Sequence, residues 1–252
     1  AIFEESYAAD PADAETSAAP DGKGFRLSGT KCFIPAAAGA DGYLVNAQGP
    51  QGSLLCHVAK DAGGVGVEMI SSIDAGGTGT LILEDAHVAE GNIIAGANRA
   101  VEITARMNDR LLLGVGAELA GLMQKALDIT LEYLKVREQF DKPIGSFQAL
   151  QHRAVDEFIN VELVRSFVFQ VAGAEDTGRA SAALAAAVKS QASGAALSLT
   201  KSAIQLHGGI GYTDEHDIGL YFKRAIALAA QYGNQAQQRA RYARLAGFSA
   251  AG

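Results

Sequence analysis

Residues 103–131 read ITARMNDRLLLGVGAELAGLMQKALDITL, and their apolar members decide the fold class. Ile103, Met107, Leu111, Leu112, Val115, Leu119, Leu122, Met123, Leu127 and Leu131 recur every three or four residues. That period puts them on one broad face of a long α-helix, a face that needs other helices to cover it. The period continues downstream. Residues 147–175 carry Leu150, Ala154, Phe158, Val161, Val164, Phe167, Phe169 and Val171 at helical spacing, and Gly178 breaks the run. An Ala-rich stretch at 180–206 predicts a third helix, whose small side chains permit close approach. A Gly-rich loop from Gly208 to Gly211 follows, then helices near 215–230 and 235–247. Long helices with short connections predict an up-down four-helix-bundle domain over residues 98–252.

Upstream the period is different. Residues 1–97 are rich in Gly, Asp and Ala with short alternating stretches. Gly24-Phe25-Arg26-Leu27-Ser28-Gly29-Thr30-Lys31 reads as strand, turn, strand. Further strands are predicted at 43–47, 53–59, 65–70 and 80–83, each bounded by Gly, Asp or Pro. Their spacing of about ten residues suggests a small antiparallel barrel or sandwich. The run Gly76-Gly77-Thr78-Gly79 reads as a turn, since no helix pattern follows it as a phosphate loop requires. The whole is an α+β chain, a small antiparallel β domain followed by a helical bundle.

Composition narrows the function classes. The formal net charge of −7 argues against a basic nucleic-acid-binding surface. Residues 1–97 hold 13 acidic and 4 basic side chains, residues 98–252 hold 15 and 17, so the second half suits an anionic ligand better. Cys32 and Cys56 show no zinc-type spacing, no metal is expected, and a reduced, cytoplasmic protein is the default. No run of about 18 apolar residues predicts a membrane span. The chain starts on Ala1 with no Met nearby, and the expectation is a segment of a longer gene product.

Four segments carry a specific likeness: Gly29-Thr30-Lys31-Cys32-Phe33-Ile34; Leu83-Glu84-Asp85-Ala86-His87-Val88; Arg137-Glu138-Gln139-Phe140-Asp141-Lys142-Pro143-Ile144 with Phe147-Gln148-Ala149-Leu150-Gln151-His152; and Gln205-Leu206-His207-Gly208-Gly209-Ile210-Gly211-Tyr212-Thr213. In this order and spacing the chain resembles the acyl-CoA dehydrogenase family along nearly its whole length. The resemblance implies a helical N-terminal domain, a β domain and a C-terminal four-helix bundle, of which this sequence holds the last two. It implies FAD as cofactor and an acyl-CoA as substrate. A carboxylate takes the α-proton of the thioester while the flavin takes the β-hydride. Arg137, Gln139 and Phe140 would then serve the diphosphate and adenine of an FAD held mostly by a neighbouring subunit. Gln205, Gly208 and Gly209 would bring their backbone against the same cofactor tail. Taken alone, Arg137 reads as a surface arginine and the glycines as an interhelical turn; the surrounding motif is what gives them this role. His207 is expected to hydrogen-bond locally.

The departures from the family pattern are as informative. The glutamate-bearing segment before the last helix is here Gln231-Tyr232-Gly233-Asn234, so Tyr232 stands where the base belongs. A phenol, with an ordinary pKa of about 10, is a poor base at neutral pH. Some relatives carry the glutamate on the first long helix, and the matching position is Asp109, followed by Arg110, which matches an arginine that contacts the acyl-CoA. The flavin-ring side has Phe3-Glu4-Glu5 and Ala8-Ala9-Asp10 in place of a Thr-Glu-Pro segment ending Gly-Ser-Asp. Phe33-Ile34-Pro35 replaces a Trp-Ile-Thr triplet, and proline offers neither hydroxyl nor N–H. The residue types that serve the cofactor tail are present, and those that serve the flavin ring are replaced. That pattern implies a heterotetramer whose homologous partner supplies the base, of the kind found in bacterial steroid side-chain degradation. A self-sufficient homotetramer using Asp109 and a flavin-free member of the fold are the alternatives.

Overall fold

The computed structural model describes residues 1–4 and 14–248. The chain forms two compact units, Ala1–Asn108 and Asp109–Gly252. The first is built on a seven-stranded sheet: β1 (Ser17–Asp21), β2 (Gly24–Pro35), β3 (Gly42–Gly49), β4 (Gly52–Ala59), β5 (Val65–Ile70), β6 (Thr78–Val88) and β7 (Ile93–Gly96). Strand order is β5-β6-β2-β1-β3-β4-β7. Every pairing is antiparallel except that of β1 with β3. Alternation along the strands sends Leu27, Val45, Cys56, Leu81 and Leu83 into one apolar core.

The predicted strand–turn–strand over 24–31 is a single twelve-residue strand, β2. The turn lies one step earlier, where Gly22 has φ 63°. Gly29 marks a bulge instead: the pairing with β6 slips between Leu27 and Gly29. A Cβ on Gly29 would lie 2.8 Å from the Cα of Thr16, so only glycine lets the N-terminal segment pass this closely. The turn lies just before the run at 76–79, at residues 73–75, and Thr78 and Gly79 already belong to β6.

The second unit is helical. α1 (Ala97–Val136) enters it from the β unit, and α2 (Gln148–Asp176), α3 (Ala182–His207), α4 (Ile218–Ala230) and α5 (Gln235–Leu245) follow. Leu119, Met123 and Leu127 of α1 pack with Val161 and Val164 of α2, Ala196 and Leu199 of α3, and Ile218 and Leu228 of α4. Each large side chain buried this way contributes about 1.5–3 kcal/mol. Ser181 caps α3 by accepting from Leu184 N, and Asn234 with Gln237 forms a capping box on α5. Two expectations for the apolar faces fail. Leu111 is turned outward on α1, and Phe158 and Phe169 on α2 are exposed together with Val155, Ile159 and Leu163. α2 is apolar on two sides, so its periodicity alone could not say which side faces the core. No helix among the described residues is long and apolar enough to cross a membrane.

Candidate functional site

α1 ends at Val136, and its last turn leads directly into a two-residue hairpin. Strands β8 (Glu138–Gln139) and β9 (Lys142–Pro143) pair, and Ile144 N donates to Arg137 O at 2.8 Å to close the loop. Phe140 and Asp141 both take left-handed backbone angles, φ 56° and 62°. That is the pattern of a type I′ turn, which strand twist favours but which suits Asn and Gly far better than Phe. The strained turn holds the Phe140 ring outward at 85% exposure. Behind it, Phe147 meets Phe140 edge-on with centroids 6.1 Å apart, and the Lys142 ammonium sits 4.3 Å above the Phe147 ring. Gln139 is exposed and donates from Nε2 to Glu138 O at 2.8 Å. Arg137 is exposed, and its guanidinium forms no ion pair among the described residues.

The Gly-rich segment lies beside this hairpin. Tyr133, one turn before Arg137, stacks on His207 with centroids 4.5 Å apart, and His207 is followed at once by Gly208. Leu134 and Leu206 share a small apolar cluster with Ala154. Gly208 ends α3 at φ 64°, and a Cβ on either Gly208 or Gly209 would meet nothing within 4 Å. Gln205 is exposed on the last turn of α3. An exposed guanidinium, a bare aromatic face and an open glycine backbone are therefore gathered on one surface. This donor set fits a nucleotide diphosphate and its adenine.

His207 supports that surface from within. Its Nδ1 lies 2.8 Å from Ala203 O, so Nδ1 carries the proton and the buried Nε2 is an acceptor with no protein partner among the described residues. Burial holds the imidazole below its ordinary pKa; the Ala203 carbonyl pulls it up and His216, with ring centroid 4.3 Å away, pushes it down. Tyr133 and His216 did not stand out in the sequence. The signal available for Tyr133 was its place one helical turn before Arg137.

Asp109 and Arg110 stand in the first half of α1, more than three turns in from Ala97. Arg241 of α5 donates to Asp109 Oδ1 at 2.7 Å, with the two side chains 13% and 22% exposed. Arg110 points elsewhere and pairs with Glu175 of α2 at 2.5 Å. Tyr232 lies in the turn between α4 and α5, in left-handed conformation at φ 56°, half-buried against the bundle core. Its carbonyl accepts from Gln238 Nε2 at 2.6 Å. Asp109 and Tyr232 are thus both tied to α5, Asp109 by its carboxylate and Tyr232 by its backbone.

In the β unit, Lys31 is fully buried and its ammonium lies 2.5 Å from Glu4 Oε1. Burial pushes the Glu4 carboxyl up, but hydrogen bonds from Lys31, Thr16 and the amides of Glu15 and Thr16 outweigh it and hold the pKa low. Burial lowers Lys31, against the pull of Glu4. The pair anchors the N-terminal segment to β2, and Cys32 N donates to Phe3 O at 2.8 Å. Phe33 follows at φ 56°, 45% exposed. Glu5 and Ala8-Ala9-Asp10 lie outside the described residues.

A β unit followed by a helical unit is the α+β arrangement that the sequence predicts. Residues 100–246 match the C-terminal domain of acyl-CoA dehydrogenases, and the chain belongs to the acyl-CoA dehydrogenase family. It is 39% identical over 147 residues to acyl-CoA dehydrogenase IpdE2 of Mycolicibacterium smegmatis, covering 58% of this chain and 46% of that protein. Among solved structures it is similar to the Tcur3481-Tcur3483 steroid ACAD variant, with TM-score 0.87 and 32% identity over 98% of this chain and 66% of that one. It is also similar to the ChsE4-ChsE5 complex from Mycobacterium tuberculosis, with TM-score 0.89 and 29% identity, covering 100% of this chain and 66% of that one. The chain thus spans about half to two thirds of the length of these relatives.

Proposed function

We propose that the chain is a subunit of an FAD-dependent acyl-CoA dehydrogenase that introduces an α,β double bond into an acyl-CoA, and that it acts beside a homologous partner which supplies the catalytic glutamate. The observation that supports an unlike partner is that Asp109, the candidate base, is held by Arg241 at 2.7 Å; the separation of the two candidate sites supports an FAD shared between subunits. Arg110 lies on α1 and Arg137 directly follows that helix, 27 positions on, about 40 Å along the axis. A single flavin dinucleotide with its ring beside the acyl group at the Asp109 end does not reach the diphosphate-binding surface at the Arg137 end. Arg137, Gln139, Phe140, Gln205, Gly208 and Gly209 therefore serve the tail of an FAD whose ring rests on another subunit.

Within this reading FAD, when bound, supplies the acceptor for the β-hydride. Arg137 neutralises diphosphate charge, Phe140 offers adenine a flat wall, and Gly208 and Gly209 leave room for close approach. Arg110 would meet the acyl-CoA on exchanging its Glu175 partner. Asp109, one methylene shorter than the usual glutamate and held by Arg241, is poorly placed to take the α-proton. Removal of that proton falls to the partner's carboxylate. The exposed apolar side of α2 is a surface of the kind another subunit covers. The name of the steroid ACAD relative supports a steroid-derived acyl-CoA as the substrate class we assign. No disulfide joins Cys32 to Cys56, which suits the cytoplasm.

A self-sufficient homotetramer working through Asp109 is the competing arrangement. Anaerobic addition of a steroid-side-chain acyl-CoA to the chain supplied with FAD, with and without its partner, separates the two. Bleaching of the flavin band only in the complex with the partner is expected. Bleaching by this chain alone would contradict the proposal.

A further inference from the structure

Lys189 is the feature of the bundle that the reading above leaves unused. It lies in the Ala-rich face of α3, and its side chain is fully buried. An ammonium is costly to bury and is kept inside only where it is fully hydrogen-bonded. Here it donates to Ser193 Oγ at 2.9 Å, Ala229 O at 3.1 Å and Gly233 O at 3.2 Å. The two carbonyls belong to the last turn of α4 and to the turn just beyond it, and they flank Tyr232 on either side. Other groups close on the same turn: Gln238 Nε2 on Tyr232 O, Ser190 Oγ on Gln235 O at 3.1 Å, and the Asn234 capping box. α3 and α5 run so close here that a Cβ on Gly194 would fall 2.2 Å from Gln235 Nε2. A bulky residue in left-handed conformation persists only where its surroundings over-determine it, and Tyr232 at φ 56° is such a residue.

We infer that Lys189 is a positioning residue for Tyr232: by gripping the carbonyls of Ala229 and Gly233 it fixes the turn at 231–234 and holds the Tyr232 ring against the bundle core. A helix C-terminus alone does not call for this arrangement, since water or a glycine cap satisfies its carbonyls at no cost in buried charge. The inference rests on the reading of Tyr232 as the residue in the base position, but its test needs neither FAD nor substrate.

The test uses the whole chain labelled with 3-fluorotyrosine, its Tyr232 resonance assigned by its disappearance in Tyr232→Phe, together with hydrogen exchange followed peptide by peptide. In Lys189→Met, which keeps length and removes the donor, amides at 232–234 should exchange at least tenfold faster while those of residues 195–204 stay within twofold. The Tyr232 fluorine signal should shift and broaden. Unchanged turn exchange and an unshifted signal in a folded Lys189→Met protein would overturn the inference. Should that variant not fold, Ser193→Ala loosens the same ammonium, and a severalfold rise confined to 232–234 is expected; no rise there overturns it equally. Flavin binding is scored separately, so a failed FAD experiment with a loosened turn counts against the functional reading and leaves Lys189 in its role.

Discussion

Arg137 owes its freedom to the way α1 stops. The helix ends one residue before it, the hairpin turns the chain away, and the guanidinium is left exposed without an ion pair among the described residues. Arg137→Ala should therefore leave the bundle folded and weaken FAD retention in the assembled oligomer. A charge-assisted contact to diphosphate is worth roughly 1.5–3 kcal/mol, so titration should read a loss of about tenfold to a hundredfold. Unchanged affinity would count against the assignment. Asp109→Asn bears on catalysis. Losing a general base costs on the order of 10²–10⁴-fold, but with the carboxylate already committed to Arg241 the turnover of the complex should fall less than tenfold. A thousandfold loss with flavin content intact would return the base to Asp109.

At the scale of elements, α3 joins stability to the site. Burial lowers the Lys189 pKa to about 8, from an ordinary 10.5. The unfolded chain then binds more protons than the native one between those values, so stability rises with pH from about 8 to 10.5, by on the order of 3 kcal/mol. Urea midpoints measured across that range should climb in the native protein relative to Lys189→Met, whose curve lacks this contribution. Parallel curves would contradict the buried ammonium. Leu119→Ala, at a fully buried position of α1, should cost about 2–5 kcal/mol in the same experiment. Much at this scale was legible beforehand. Strand β5 falls where alternation placed it, and the helices start and stop within a few residues of their periodic runs. Gly29 misled because a bulge and a turn use the same residue. Phe158 and Phe169 misled because a helix with two apolar sides does not announce its inner one. Lys189 and Ser193, spaced i and i+4 in an alanine run, carried no signal of their own in the sequence, because the carbonyls that Lys189 meets come from the end of α4 and the turn beyond it.

For the molecule as a whole, the sequence motifs named the candidate tail-binding residues but not their meeting. The Tyr133–His207 stack and the cluster shared by Leu134 and Leu206 bring the hairpin after α1 and the loop after α3 onto one surface, about seventy residues apart in the chain. Only the length of α1 sets this surface so far from Asp109. The central claim is that this chain holds one part of an FAD shared with an unlike subunit. The visible absorbance spectrum of the purified protein, recorded alone and after co-purification with its homologous partner, tests it most directly. Flavin bands in the mixture and none in the chain alone are the expected result. A full complement of flavin in the chain alone would contradict the claim.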